Sequence, residues 1–239
     1  MDLIKDLLKI KIFADGADLN VMVKMASKPF ISGFTTNPTL MRKVGITNYE
    51  KFAKDVLREI QTKPISFEVF SDEIEEIKSQ AEKIASWGNN VYVKIPITNT
   101  RGESMWPVIK YLSDIGIKLN VTAVLLQDQV INIVKSLSKK TRSIISIFAG
   151  RIADTGRDPI PLVKKSVLLT KKYKNIQILW ASTRESLNIF QAQKINCDII
   201  TVTTDILSKV NIFGYDLKKY SLDTVKMFYN DAAKAGYKI

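Results

Sequence analysis

The strongest constraint on this chain is a recurring pair of patterns: short apolar runs of strand length, and between them segments with helical period. The runs fall at 11–14, 30–36, 64–70, 91–97, 118–124, 143–149, 176–181 and 199–203. Most are continuous and do not alternate, as strands buried on both faces of a parallel sheet do. Helical periodicity marks 49–61, 72–86, 126–137, 160–173 and 184–193. Asp72 with Glu75 three places later predicts a helix start, and Gly88 and Gly116 stand where helix ends call for a left-handed residue. Strand and helix alternating about eight times over roughly 200 residues predict an α/β fold, a single (β/α)8 TIM barrel, with residues 1–239 as one domain. An open doubly wound sheet is the alternative. Against it, no glycine-rich phosphate turn follows the first run, and polar residues recur near the ends of nearly every strand rather than at one crevice. Segment 217–235, with Leu222, Val225, Met227 and Phe228, reads as a C-terminal helix that caps the domain or binds a neighbouring subunit.

Composition narrows the chemistry. The chain has no histidine, which excludes Ser-His and Cys-His nucleophile pairs. One cysteine, Cys197, argues against a zinc site, excludes an internal disulfide and fits a reducing cytoplasm. Asp2 and Asp6 stand where a secretory signal would carry basic residues, and no apolar run is long enough to span a bilayer, so no membrane partner is expected. The formal charge of +12 favours anionic partners. Its densest cluster, Lys164, Lys165, Lys171, Lys172 and Lys174, reads as a solvated helix face, with no nucleic-acid motif beside it.

Within "NNVYVKIPIT", Lys94 is the one charged residue of a run that is apolar on both faces. A buried ammonium is costly unless it is paired or neutral. A free lysine is almost wholly protonated at neutral pH, and burial penalises that charged form. A desolvated lysine is therefore a candidate Schiff-base former with carbonyl substrates. In a barrel, the carboxyl ends of the strands converge on one mouth. Collected there are Asp15, Thr35-Thr36-Asn37, Glu68, Lys94, Asn120, Thr122, Ser146, Phe148, Arg151, Ser182 and Arg184. Each has a plain structural reading; Asp15 fits a turn, Asn37 a helix cap before Pro38, and the arginines surface ion pairs. Their joint placement is what points to chemistry. Without histidine, Asp15 and Glu68 are the rim groups suited to acid–base work, and two guanidiniums with a serine hydroxyl suit a substrate phosphate.

The stretches "FADGAD", "GFTTNPTLM", "SFEVF", "VYVKIPIT", "LNVTAV", "SIFAGRIAD" and "LWASTRE", one per strand and in this order, resemble the transaldolase family over essentially the whole chain. The resemblance implies a class I aldolase-type barrel with no metal or organic cofactor. Such an enzyme moves a dihydroxyacetone unit between sugar phosphates in the pentose phosphate pathway, from sedoheptulose 7-phosphate to glyceraldehyde 3-phosphate, giving erythrose 4-phosphate and fructose 6-phosphate. It implies Lys94 as the imine lysine, Asp15 as acid/base at the cleaved bond, and Glu68 and Thr122 as holders of a proton-relay water. It further implies Asn37 and Asn120 on the triose hydroxyls, Thr35 nearby, Ser146 lining the pocket, and Arg151, Ser182 and Arg184 on phosphate. The alternative is the related fructose-6-phosphate aldolase, which releases free dihydroxyacetone. That branch carries Gln where Glu68 lies and Tyr where Phe148 lies, so this chain looks like the transferase. A non-catalytic sugar-phosphate-binding barrel is the reading from another class. Two departures touch the rim: Gly16 follows Asp15 where a hydroxylated residue is common, and the loop "RIADTGRDPIP" is unusually charged. The compact length resembles oligomer-forming subgroups, so a homo-oligomer acting on sugar phosphates is expected.

Overall fold

A computed structural model describes residues 7–238; the acidic start, residues 1–6, lies outside the described residues. The chain divides into two compact units, one ending at Leu207 and one beginning at Ser208. In the first, eight parallel strands close into a barrel in sequence order. They are β1 (Lys11–Asp15), β2 (Ile31–Thr35), β3 (Ile65–Glu68), β4 (Val91–Pro96), β5 (Leu119–Val124), β6 (Ser143–Ile147), β7 (Ile176–Trp180) and β8 (Ile199–Thr203). Helices follow the strands: α1 (Leu19–Ala26), α2 (Pro38–Lys43), α3 (Tyr49–Glu59), α4 (Ile74–Ala85), α5 (Trp106–Asp114), α6 (Gln127–Ser136), α7 (Ala149–Ala153), α8 (Ile160–Thr170), α9 (Leu187–Lys194) and α10 (Thr204–Leu207).

Local chemistry starts several of them. The side chains of Asp18, Asn37 and Asn48 each accept a backbone N–H from the first turn of α1, α2 and α3. Pro38 is tolerated at the start of α2 because that position has no intrahelical acceptor for an N–H. Helix α3 then buries Phe52, Ala53 and Val56 on one stripe, while Glu50 and Arg58 complement its dipole.

The barrel interior is a packed core. Phe13, Tyr92, Ile144, Leu179, Ala181 and Ile199 form one buried cluster from five strands and the end of β7. Residues on strands this far apart meet only inside the barrel. Each large side chain so buried contributes about 1.5–3 kcal/mol. Gly33 makes room for the Phe13 ring, since a Cβ there would lie 2.6 Å from it. Tyr92 belongs to this cluster, and Lys94 lies two residues on along β4, so the same face aims Lys94 into the barrel.

Some sequence expectations shift. Most strand ends contract by one or two residues, while β1 extends to Asp15 and β8 keeps its expected bounds; Ala149, expected in a strand, opens α7. Helix α4 begins at Ile74 rather than Asp72. The Asp72 carboxylate is taken by the backbone N–H and hydroxyl of Thr100 and by Arg101, so it pins the loop after β4 instead of capping. Gly116 is left-handed, with φ of 90°, as expected. Gly88 is not; α4 has already ended at Ser86, and glycine at 88 gives room to Asn90, whose Oδ1 a Cβ would meet at 3.2 Å. Lys171, Lys172 and Lys174 lie in the loop entering β7, beyond the end of α8, not on a helix face.

The second unit holds a 3-10 turn (Ser208–Ile212) and helix α11 (Leu217–Ala235), as the sequence period predicts. Asp216 caps α11, and Gly236, with φ of 68°, ends it. None of its residues is buried, and Leu222, Val225, Phe228 and Tyr229 are exposed.

Candidate active site

Strand register builds the centre of the site. Glu68 is the direct partner of Lys94 across β3 and β4, and Asp15 is the partner of Thr35 across β1 and β2. The Lys94 Nζ lies 3.0 Å from Glu68 Oε2 and donates to the Thr36 carbonyl at 3.0 Å. Lys94 is only 6% exposed, so its ammonium depends on these two partners in place of water. Sequence reasoning anticipated a dry amine; the structure gives it a carboxylate. Glu68 is itself steadied from outside the barrel. The Tyr49 hydroxyl donates to the Glu68 carbonyl at 2.8 Å, and the Tyr49 ring packs edge-on to Phe67 and Phe70.

The Asp15 carboxylate accepts from the Thr35 hydroxyl at 2.7 Å, and Thr35 is in turn bonded to the Thr201 hydroxyl. Burial pushes the Asp15 carboxyl above the usual carboxylate range, against the opposing pull of Lys94 and of the Thr35 hydrogen bond. A carboxyl shifted in this direction is suited to give and take a proton near neutrality.

Thr122 sits where β5 is irregular. Register with β6 shifts between Val121 and Val124, and Ala123 takes φ of 59°. A non-glycine residue in the left-handed region is strained, and such strain gathers at functional sites. The Thr122 hydroxyl is buried with no hydrogen-bond partner among the described residues, beside the cavity. Deeper lies a closed polar chain: the Ser146 hydroxyl donates to Asn120 Oδ1 at 2.6 Å, and Asn120 Nδ2 donates to the Ser66 hydroxyl at 2.9 Å.

The opposite rim is also strained. Ser182 has φ of 63°, and a Cβ on Gly150 would lie 1.6 Å from the Ser182 carbonyl oxygen. Glycine at 150 thus lets α7 seat directly against the end of β7. Arg184 grips Asp154 with two guanidinium nitrogens, Nε at 3.0 Å to Oδ1 and a second to Oδ2. This pair holds the Asp154 carboxyl well below the usual carboxylate range. Arg151 makes no ion pair among the described residues.

A cavity of about 490 Å³ opens between these rims. Asp15, Thr35, Asn37, Glu68, Lys94 and Thr122 line one part of it; Ser146, Phe148, Arg151, Ser182 and Arg184 line the rest. Asn120 is fully buried beneath and does not line it, and Asn37 spends its side-chain oxygen on the α2 cap. Sequence reasoning missed Tyr49, Ala123, Gly150, Asp154 and Thr201. The charged "RIAD" stretch was the one signal for Asp154; the other four needed coordinates.

The arrangement is an amine, two carboxyls and an orphan hydroxyl facing arginines across a cavity of metabolite size. The family described as Transaldolase/Fructose-6-phosphate aldolase matches residues 12–239. A probable transaldolase of Carboxydothermus hydrogenoformans is 34% identical over 208 residues, covering 84% of this chain and 90% of that one. One of Sulfurihydrogenibium sp. (strain YO3AOP1) is 31% identical over 202 residues, covering 84% and 88%. Among solved structures, a putative dihydrodipicolinate synthase family protein from Coccidioides immitis superposes with a TM-score of 0.58 over 96% of this chain and 78% of its own. At 13% identity it bears on the fold alone.

Proposed function

This chain belongs to the transaldolase/fructose-6-phosphate aldolase family, and on that premise we propose that it is a transaldolase working through a Schiff base on Lys94. The observation that carries the reading is the Lys94 amine, 3.0 Å from Glu68 at a cavity that Asp15 also lines. The donor is a ketose phosphate such as sedoheptulose 7-phosphate or fructose 6-phosphate. Lys94 gives a proton to Glu68 and attacks the donor carbonyl carbon; water leaves as the protonated imine forms. A water held by Glu68 and the orphan Thr122 hydroxyl carries the protons. Asp15 then removes the proton from the C4 hydroxyl, the C3–C4 bond breaks, and its electrons enter the imine to give an enamine. The departing aldose phosphate is replaced by another. The enamine attacks its aldehyde carbon, Asp15 returns the proton, and water releases the new ketose.

Arg151, Ser182 and Arg184 hold the phosphate, and Asn37, Thr35 and Ser146 shape the triose end, with Asn120 acting from beneath through its hydrogen bond with Ser146. Phe148 offers no hydroxyl to direct water at the enamine, which supports transfer over release of free dihydroxyacetone. We also propose a homo-oligomer assembled through the exposed apolar residues of α11, and work in a reducing cytoplasm, supported by the buried unpaired Cys197.

A coupled assay with fructose 6-phosphate tests this, with and without erythrose 4-phosphate. Turnover that depends on the acceptor is expected. Equal release of free dihydroxyacetone without acceptor would assign the aldolase activity instead.

A further inference from the structure

The positive surplus does not lie at the mouth. The loops entering strands β2 to β8 carry nine Lys or Arg side chains and one carboxylate, Asp198. The loops that follow the strands, taken as far as α2 after β2 and α8 after β6, carry seven carboxylates and four arginines. Attraction of sugar phosphates to the catalytic cavity therefore does not account for the chain's charge. Among the loops, the cations gather at the opposite, N-terminal face of the barrel.

On that face the cations converge on one concavity. Lys139, Lys140 and Arg142, from the loop entering β6, and Lys172 and Lys174, from the loop entering β7, line a cavity of about 590 Å³ with no acid in its wall. None of the five makes an ion pair among the described residues. The loops beneath them are pinned. Asn175 donates through one Nδ2 to the Ser138 and Thr141 carbonyls, both at 2.8 Å, and so ties the two loops together. The Thr141 hydroxyl donates to the Ser113 carbonyl at 2.6 Å, and the Ser138 N–H donates to the Ser113 hydroxyl at 3.0 Å. The cations thus stand on a fixed base around a concave wall, and their mutual repulsion is not relieved from within.

We propose that this cavity is a second anion site, which takes a compact ligand carrying two or more consecutive phosphates. A single phosphate would leave most of the five cations unmatched, and five cations on two loops tied together by Asn175 suit a compact chain of phosphates. Strands β6 and β7, five residues each and so about 16 Å long, separate this site from the catalytic mouth. A ligand here does not compete sterically with substrate.

The test is calorimetric titration of the full chain with sodium tripolyphosphate and, in a second arm, with ATP. The wild type is compared with Lys140→Gln/Arg142→Gln/Lys172→Gln/Lys174→Gln, and with Arg184→Gln, which alters only the catalytic rim. All four surface positions are exposed, and an unchanged melting temperature verifies folding. The expected result is one saturable tripolyphosphate site per chain, kept in Arg184→Gln and weakened about tenfold or more in the quadruple variant. It should also weaken as salt shortens the ~10 Å screening length of 0.1 M solution. Equal binding of ATP would show that the phosphate chain is what is read; clearly tighter ATP binding would add a nucleoside to the ligand. Absence of saturable binding by either, or binding indifferent to the four neutralisations, would overturn the proposal. So would binding of a 30-nucleotide RNA without binding of tripolyphosphate, since that assigns the face to nucleic acid.

Discussion

Glu68 and Lys94 are direct neighbours across β3 and β4, with Oε2 and Nζ 3.0 Å apart and both side chains largely withdrawn from water. The pair means that an amine and a carboxyl arrive together as a consequence of strand register. Glu68→Gln keeps the shape and removes the charge. Breaking a buried pair leaves an ammonium unmatched; because Glu68 retains some solvent contact, the loss of stability should be about 1–3 kcal/mol. Urea unfolding at pH 7 measures this. Imine formation, followed by the rate of borohydride inactivation with fructose 6-phosphate, should slow by more than substrate binding weakens.

Asp15→Asn should separate stability from activity. Burial raises the Asp15 carboxyl above its ordinary value, so the folded state binds this proton more tightly than the unfolded chain. The contribution to stability is then fully present below the unfolded value near 3.8 and is lost as pH rises through the raised folded value. Asn carries no such charge. The variant should be more stable than wild type at pH 7, with the gap closing on acidification, while turnover falls by about 10²–10⁴. Unfolding curves at pH 7 and pH 4, beside steady-state rates, give both readings.

The strands were legible because burial on both faces leaves no polar alternation to blur them, and the rim residues were legible because closure brings strand ends together. Lys94 stood out as the one charge in such a run. What escaped the sequence depends on contacts between distant segments. Asp72 reads as a cap until Thr100 and Arg101 are seen to claim it. Gly88 reads as a helix end, yet serves a close approach of Asn90. The bulge at Ala123 and the contact of Gly150 with Ser182 have no local signature, since alanine does not advertise a positive φ.

Gly150→Ala should damage the rim that carries Ser182 and Arg184. A Cβ would sit 1.6 Å from the Ser182 carbonyl oxygen, so α7 or the end of β7 must move. A cost of about 2 kcal/mol or more is expected from such overpacking. The Michaelis constant for phosphorylated substrates should rise more than kcat falls, and thermal unfolding with steady-state kinetics reports both.

Asp154→Ala releases Arg184 from its two-pronged partner. The guanidinium then loses its fixed orientation, and the Michaelis constant for sugar phosphates should rise about tenfold, while an unphosphorylated donor such as fructose is affected little. Comparison of phosphorylated and free sugars separates this from a general loss of structure.

Ala123→Gly removes the Cβ that makes the φ of 59° at this position costly. Relief of the left-handed penalty, of about 1 kcal/mol, should leave the fold as stable or more so. Activity should fall because the Thr122 hydroxyl is no longer held in one place. Differential scanning calorimetry and initial rates check the two halves.

The central claim is that the buried Lys94 amine forms the covalent link with substrate. Borohydride reduction in the presence of fructose 6-phosphate, followed by peptide mass mapping, tests it most directly. The account predicts a reduced triose adduct on Lys94, absent in Lys94→Arg. An unmodified Lys94, or an adduct on another lysine that persists in Lys94→Arg, would contradict it.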